Sequence, residues 1–169
     1  RAVEADGYWD LKAVTTGETI ETVKAKDMLR CMADAAWHSA DPGIQYDTTI
    51  NEWHTIPNAG RINASNPCSE YMSIDNSACN LASLNLMKFL REGGKFDVDA
   101  FKKAADTMIL AQDILVDRAS YPTEKLTINA RAYRQLGLGY ANLGSLLMTL
   151  GLPYDSDKGR VMAGQITSL

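Results

Sequence analysis

An amide, a thiol and a carboxyl alternate in Asn66-Pro67-Cys68-Ser69-Glu70, and a second thiol follows at Cys79. In an extended segment, side chains at i, i+2 and i+4 share one side. An extended backbone here predicts Asn66, Cys68 and Glu70 pointing together, with Pro67 and Ser69 pointing away. A hydrogen-bonding amide, a redox-capable sulfur and a proton-transfer group aimed at one spot suit a site built around a polar substrate. Each residue also has an ordinary use: Asn-Pro starts turns, a free Cys is often a small buried hydrophobe, and Glu is commonly on the surface. The stiffening of the backbone by Pro67 and the shared direction make the trio a candidate site.

The other chemistry-bearing residues read more plainly. Cys79 lies in Ser77-Ala78-Cys79-Asn80-Leu81-Ala82, whose small apolar neighbours would also suit a core thiol. The interval from Cys68 to Cys79 does not match short zinc-ligand spacings, and His38 and His54 are the only histidines, so no metal site is expected. Cys31, beside Met32 in a helical pattern, reads as packing. The glycines 137, 139 and 144 miss the G-x-G-x-x-G spacing, which argues against a Rossmann site. They are expected to let a helix pack closely on a strand or to let backbone approach a ligand. Trp53 and His54 could line a pocket, and a loop anchor is the reading preferred for them.

The elements around these residues follow from periodicity and breakers. Tyr8 to Val14 and Thr19 to Val23 read as a hairpin about a glycine-containing turn. Lys26 to Ala40 is helical, with Met28, Met32 and Ala36 in a row flanked by Leu29, Ala33 and Trp37, and Asp41-Pro42-Gly43 stops it. Residues 44–66 read as polar loop with strand-like pieces at Ile44–Tyr46 and Arg61–Ala64. Ser77 to Leu86 is a buried strand and its exit, followed by a turn at Gly93-Gly94. Asp97 caps a long helix to about Ala119, with Val98, Phe101, Ala105, Met108 and Leu115 as its buried stripe. Thr123 caps a shorter helix through Asn129, and Gln135 to Gly139 is a strand. Leu143, Leu146, Leu147 and Leu150 form a helical stripe ended by Gly151 and Pro153. Asp155 or Ser156 starts a last helix expected to run on through Leu169. Strands alternating with helices predict an α/β architecture.

Composition bounds the function. The chain has 169 residues, enough for one ordinary domain with a core. Its net charge of −4 and the lack of a Lys/Arg cluster give no footprint for nucleic acid. No apolar run is long enough to span a bilayer. Three cysteines without a secretory signal suggest a reducing, cytoplasmic setting rather than a disulfide framework. A start at Arg1 and a helical pattern at the other end lead to the expectation of an internal fragment, residues 1–169 forming one piece without a separate second domain.

Taken together, Asn66-Pro67-Cys68-Ser69-Glu70 and Ser77-Ala78-Cys79-Asn80-Leu81-Ala82-Ser83-Leu84-Asn85-Leu86 resemble the active-site region of ribonucleotide reductase large subunits, most of all the adenosylcobalamin-dependent class II enzymes. The stretches Asp41-Pro42-Gly43, Asp47 to Asn51, Gly60 to Ser65 and Leu136 to Gly144 agree, so the likeness covers nearly the whole chain. The resemblance implies part of a ten-stranded α/β barrel, with a finger loop at about 65–72 carrying Cys68 at its tip. It implies radical reduction of ribonucleoside di- or triphosphates to 2′-deoxyribonucleotides. In that reading Cys68 is the thiyl radical, Glu70 the general base for the 3′-hydroxyl, and Asn66 a hydrogen bond to the substrate. Asn66, Pro67, Cys68 and Glu70 line the substrate, and Cys79 is one half of the reducing dithiol pair.

The resemblance further implies adenosylcobalamin in the full-length enzyme, deoxynucleotide or ATP effectors, a thioredoxin-like reductant and a homodimeric parent. It also implies a partner thiol for Cys79 upstream, shuttle cysteines downstream, and an isolated fragment without reductase activity. Alternatives are a class I ribonucleotide reductase, or a non-catalytic nucleotide-binding or structural module of a related barrel with idle thiols. A thiol redox enzyme of another kind is disfavoured by the absence of C-x-x-C. A class III enzyme is disfavoured because that class needs no cysteine in the Cys79 role.

Overall fold

The predicted hairpin forms: β1 (Tyr8–Lys12) pairs antiparallel with β2 (Thr19–Lys24). Its turn is closed by hydrogen bonds from Ala13 N–H to the Glu18 carbonyl and from Gly17 N–H to the Ala13 carbonyl. Gly17 takes the positive φ of 75° that a side chain would resist. Helix α1 (Ala25–Ser39) follows without a loop and ends on Ala40, whose N–H bonds the Ala36 carbonyl from a left-handed conformation. Met28, Met32 and Ala36 are half-buried along one row, whereas Leu29, Ala33 and Trp37 are exposed. Cys31 is exposed, which corrects the packing role expected of it. It sits about 100° around the helix from the centre of the covered row.

The computed structural model describes residues 1–169 and divides into two compact units, Arg1–Trp53 and His54–Leu169. The first unit closes with a short helix that the sequence reading missed. Ile44–Tyr46 forms no strand, and α2 (Asp47–Glu52) begins instead. Asn51 Nδ2 donates to the Asp47 carbonyl at 3.0 Å, a local bond that outweighs the weak helix preference of the two threonines. In the second unit Arg61–Ala64 is likewise not a strand.

The second unit is built on a parallel pair. β3 (Cys79–Asn85) and β4 (Gln135–Ala141) run in register from Cys79 beside Gln135 to Asn85 beside Ala141. Parallel neighbours need a long crossover, which α3 (Val98–Arg118) and α4 (Glu124–Tyr133) supply. The architecture is therefore mixed α/β, as predicted, and the chain itself contains two sheets of two strands each. Three helices start on nominated caps: Asp97 accepts from Ala100 N–H, Thr123 from Leu126 N–H, and Ser156 from Gly159 N–H. The last of these opens α6 (Asp157–Thr167).

The buried stripe of α3 needs correction. Phe101 is buried and Ala105 and Met108 are half-buried, but Val98 and Leu115 are exposed and the row continues through Gln112 and Val116. The phase of 101, 105, 108, 112 and 116 follows a 3.6-residue repeat, and it places a glutamine inside. Arg134 ends α4 in a left-handed conformation and ties it to α3, donating to Asp113 and Asp117 at 2.8 Å each. β4 begins at the next residue.

The core gathers Leu84 and Leu86 at the exit of β3, Phe101, Leu146 of α5 (Leu143–Thr149) and Ile166. Phe101 stacks edge-on against Phe89 at 5.3 Å. Fully burying each aliphatic side chain contributes about 1.5–3 kcal/mol. No helix is long and apolar enough to cross a membrane.

Candidate active site

The segment around Cys68 is a tight turn, not the extended strand its alternation predicts. Ser69 N–H donates to the Asn66 carbonyl at 3.1 Å, and Ser69 adopts a left-handed φ of 64°. The physical reason lies in Asn66-Pro67: Asn is favoured at the first turn position and Pro pre-sets φ at the second. The loop closes where Ser65 and Met72 form an antiparallel bridge. Asn66 holds its base twice, its N–H donating to the Tyr71 carbonyl at 3.4 Å and its Oδ1 accepting from Tyr71 N–H at 3.0 Å.

The turn sorts the residues by depth. Asn66 is half-buried at the base, while Pro67, Cys68, Ser69 and Glu70 are exposed around the tip. Tyr71 anchors the returning arm of the loop, its hydroxyl donating to Ser77 Oγ at 2.8 Å, and Ser77 donates onward to the Ile74 carbonyl. Gln135 Nε2 donates to Ser73 Oγ at 3.0 Å and Asn129 Nδ2 to the Asp75 carbonyl at 3.2 Å. Ile62 and Ile74 are buried beneath the loop. An exposed tip thus stands on a base pinned to β4 and α4.

Cys79 opens β3 and is half-buried. Burial pushes its thiol above the ordinary value, and the Glu70 carboxylate pushes it further in the same direction. A thiolate in partly dry surroundings beside a negative charge is disfavoured on both counts. Glu70, nine positions before Cys79 in the chain, therefore adds its charge to the surroundings of that thiol. Sγ of Cys79 also lies 3.7 Å from the Asn80 carbonyl, within reach of a weak S–H hydrogen bond.

The structure places Asn66 at a cavity of about 250 Å³ walled by Ala64, Ser65, Tyr71, Ser73 and residues 74–77. Cys68 and Glu70 stand outside that cavity. A larger one, about 390 Å³, is walled by Leu143, Leu147, Tyr154, Asp155, Gly159, Arg160 and Ala163 and contains none of the reactive residues. No group of three His, Cys, Asp or Glu side chains is arranged to hold a metal. His54 is a loop anchor: its Nε2 meets the Gly60 carbonyl at 3.0 Å and its Nδ1 the Ile56 N–H at 3.5 Å. Trp53 is exposed and lines none of these cavities. Tyr71, Ser77 and Gln135 were not anticipated. Gln112 was also missed, although a polar residue in phase with an apolar stripe is a signal legible in the sequence.

Comparison with known proteins agrees across the chain. The family described as "Ribonucleotide reductase, barrel domain" matches residues 5–169. A protein of Streptomyces avermitilis named "Vitamin B12-dependent ribonucleotide reductase" is 60% identical over 100% of this chain, which spans 18% of that relative's length. A protein of the same name from Rhodopirellula baltica is 56% identical over 99% of the chain and 16% of its own length. A "Vitamin B12-dependent ribonucleoside-diphosphate reductase" of Mycobacterium tuberculosis is 36% identical over 98% of the chain and 24% of its own length.

Proposed function

Because the chain belongs to the ribonucleotide reductase barrel-domain family, we propose that it carries the radical and acid–base residues of a cobalamin-dependent reductase of ribonucleotides. The observation that carries this reading is the pairing of an exposed thiol at a pinned loop tip with a carboxylate that acts on a second thiol. In this reading β3 and β4 are two neighbouring strands of a ten-stranded barrel, and the 65–72 loop is its finger.

The steps fall to residues of this chain. A thiyl radical on Cys68 removes the 3′ hydrogen atom from the ribose and becomes the thiol. Glu70 takes the 3′-hydroxyl proton, which assists departure of the 2′-hydroxyl as water. Asn66 has committed Oδ1 to Tyr71 N–H, which leaves its Nδ2 as the group that donates to the substrate hydroxyls. Cys79 and a second thiol give up two electrons and two protons at C2′ and end as a disulfide, so one water and one disulfide form per deoxyribose. Cys68 then returns the hydrogen atom to C3′.

Adenosylcobalamin, when bound, supplies the one-electron chemistry that starts this sequence. The residues present fit that arrangement at one point: Cys68 is exposed at a tip, where a radical source outside this chain can reach it. No residue here is assigned to hold the corrin. Because this chain spans under a quarter of each of these relatives, the activity belongs to the full-length protein. Nucleotide effectors, a thioredoxin-like reductant, a homodimeric parent and a cytoplasmic location complete the proposal.

Cys68→Ser in the full-length protein tests it, with deoxyribonucleotide formation measured in the presence of adenosylcobalamin and a dithiol. Loss of product to the detection floor is expected; turnover at the parent rate would refute the assignment.

A further inference from the structure

Behind Cys79 lies a polar contact that the proposed chemistry does not use. Gln112, in the middle of α3, is only 2% exposed, in a helix whose other two buried residues are Phe101 and Val116. Its Nε2 donates to the Asn80 carbonyl at 2.9 Å and to the Gly137 carbonyl at 3.2 Å, one on each of the paired strands. Asn80 returns the bond, its Nδ2 donating to the Gln112 carbonyl at 2.9 Å. Two side-chain amides thus exchange hydrogen bonds with each other's backbone, across 32 positions of sequence.

This clamp sits against the thiol from two directions. Asn80 is the residue after Cys79, and its carbonyl takes both the Gln112 amide and the Cys79 S–H contact. Gly137 is the other residue gripped, and a methyl group placed on it would lie 3.3 Å from Cys79 Sγ and 2.6 Å from Leu81 Cδ2. Leu81 is exposed and can swing away, so the space Gly137 keeps open is the space the sulfur uses. A buried amide is a costly way to join a helix to a sheet, because each polar atom left unpaired costs about 1–3 kcal/mol. Gln112 Oε1 is such an atom, buried and without a partner. A leucine would fill this stripe position without that cost, so packing alone does not account for the glutamine.

We infer that Gln112 and Asn80 are positioning residues for Cys79, fixing where its thiol sits at the head of β3. The inference deepens the reading of Cys79 as a reductant and rests on it. Helix α3 is thereby tied to the redox step through one amide, although α3 carries no reacting group.

The test uses the full-length protein and follows alkylation of Cys79 and Cys68 by iodoacetamide as a function of pH, resolved by peptide mass spectrometry. Gln112→Met keeps the length of the side chain and removes both donors. It is expected to speed Cys79 alkylation roughly fivefold at about pH 8, a change of less than one pKa unit, with the rate at Cys68 unchanged. Dithiol-driven kcat should fall with the ribonucleotide KM held. Asn80→Ala, which removes one outer bond, should move Cys79 in the same direction by a smaller factor, and it decides the matter if Gln112→Met does not fold. Cys79 rates within twofold of the parent in both variants overturn the inference. So does an equal rise at Cys68, which would mean general loosening. Cys79→Ser separates the two readings: if it sustains dithiol-driven turnover, Cys79 is not the reductant, whatever the alkylation data show.

Discussion

The two thiols of the second unit sit in opposite mechanical settings. Cys68 stands exposed on a turn whose bonds all lie at its base, through Asn66, Tyr71 and the Ser65–Met72 bridge. Cys79 stands half-buried on a strand held by the parallel ladder on one side and by Gln112 on another. In the proposed function Cys68 is a radical centre that has to meet a partner from outside the chain, and an exposed tip allows that. In the same proposal Cys79 is a reductant that has to wait as the thiol, and burial and the Glu70 carboxylate both favour the protonated form. Reach and restraint are built by separate parts of one short segment, 65–85.

The largest expected effect separates chemistry from stability. Glu70→Gln should reduce deoxyribonucleotide formation by the full-length protein by about 10²–10⁴-fold, the usual worth of a positioned base. Its exposed side chain makes the thermal midpoint the same as the parent's. A large fall in stability would mean that the tip is structural and would erase the contrast with β3.

On the other side of the comparison, Leu146→Ala should destabilise the folded state by about 2–5 kcal/mol, since Leu146 is fully buried against Leu84 and Leu86. Denaturant unfolding measures the loss. Alkylation of Cys68 under native conditions should stay as it was, because the tip does not rest on that core.

A smaller effect is expected from Thr123→Ala, which removes the cap of α4. About 1 kcal/mol of stability should be lost, read in the same unfolding experiment, with the parallel register carried by Arg134 and β4 as the region most affected in hydrogen exchange.

The subtlest predictions concern protons. Glu70→Gln removes one of the two causes that raise the Cys79 thiol, so Cys79 should ionise more readily and alkylate roughly twofold faster at about pH 8. No change would disconnect the loop from the strand. In the acid range, Asp97 is held below the ordinary aspartate value by the Ala100 N–H and Arg91, and Asp117 by Arg134. A carboxylate whose folded value is depressed contributes stability that is full above the unfolded value, about 3.9, and lost as pH falls through the folded one. The melting temperature should therefore fall on acidification below about pH 4, and Arg134→Met should flatten the part owed to Asp117.

Much of the fold was legible because its signals are local. The hairpin around Gly17, the caps at Asp97, Thr123 and Ser156, and the stop after α5 at Gly151 each depend on residues within one turn of one another. Failures came where distant packing decides. Ile44–Tyr46 looks strand-like but finds no partner strand, and Val98 and Leu115 are exposed although apolar, Val98 in the first turn of α3 and Leu115 at the margin of its buried row. Cys31 is similar: a small apolar residue on a helix, but off the covered row.

For the candidate site, the stretches 66–70 and 77–86 with their flanking segments carried the resemblance to the family, and the family match over residues 5–169 bears it out. The alternation argument for their shared direction failed, because Pro67 after Asn66 favours a turn and a turn breaks the period of two. Which side chains are available, the family and the order of most elements are therefore written in the chain itself. The tertiary structure alone decided that Glu70 acts on Cys79, that Gln112 reaches the carbonyls beside it, and that Gly137 leaves room for its sulfur. The last two join residues far apart in the chain, and only the closing of the helical crossover onto parallel strands brings them within contact range.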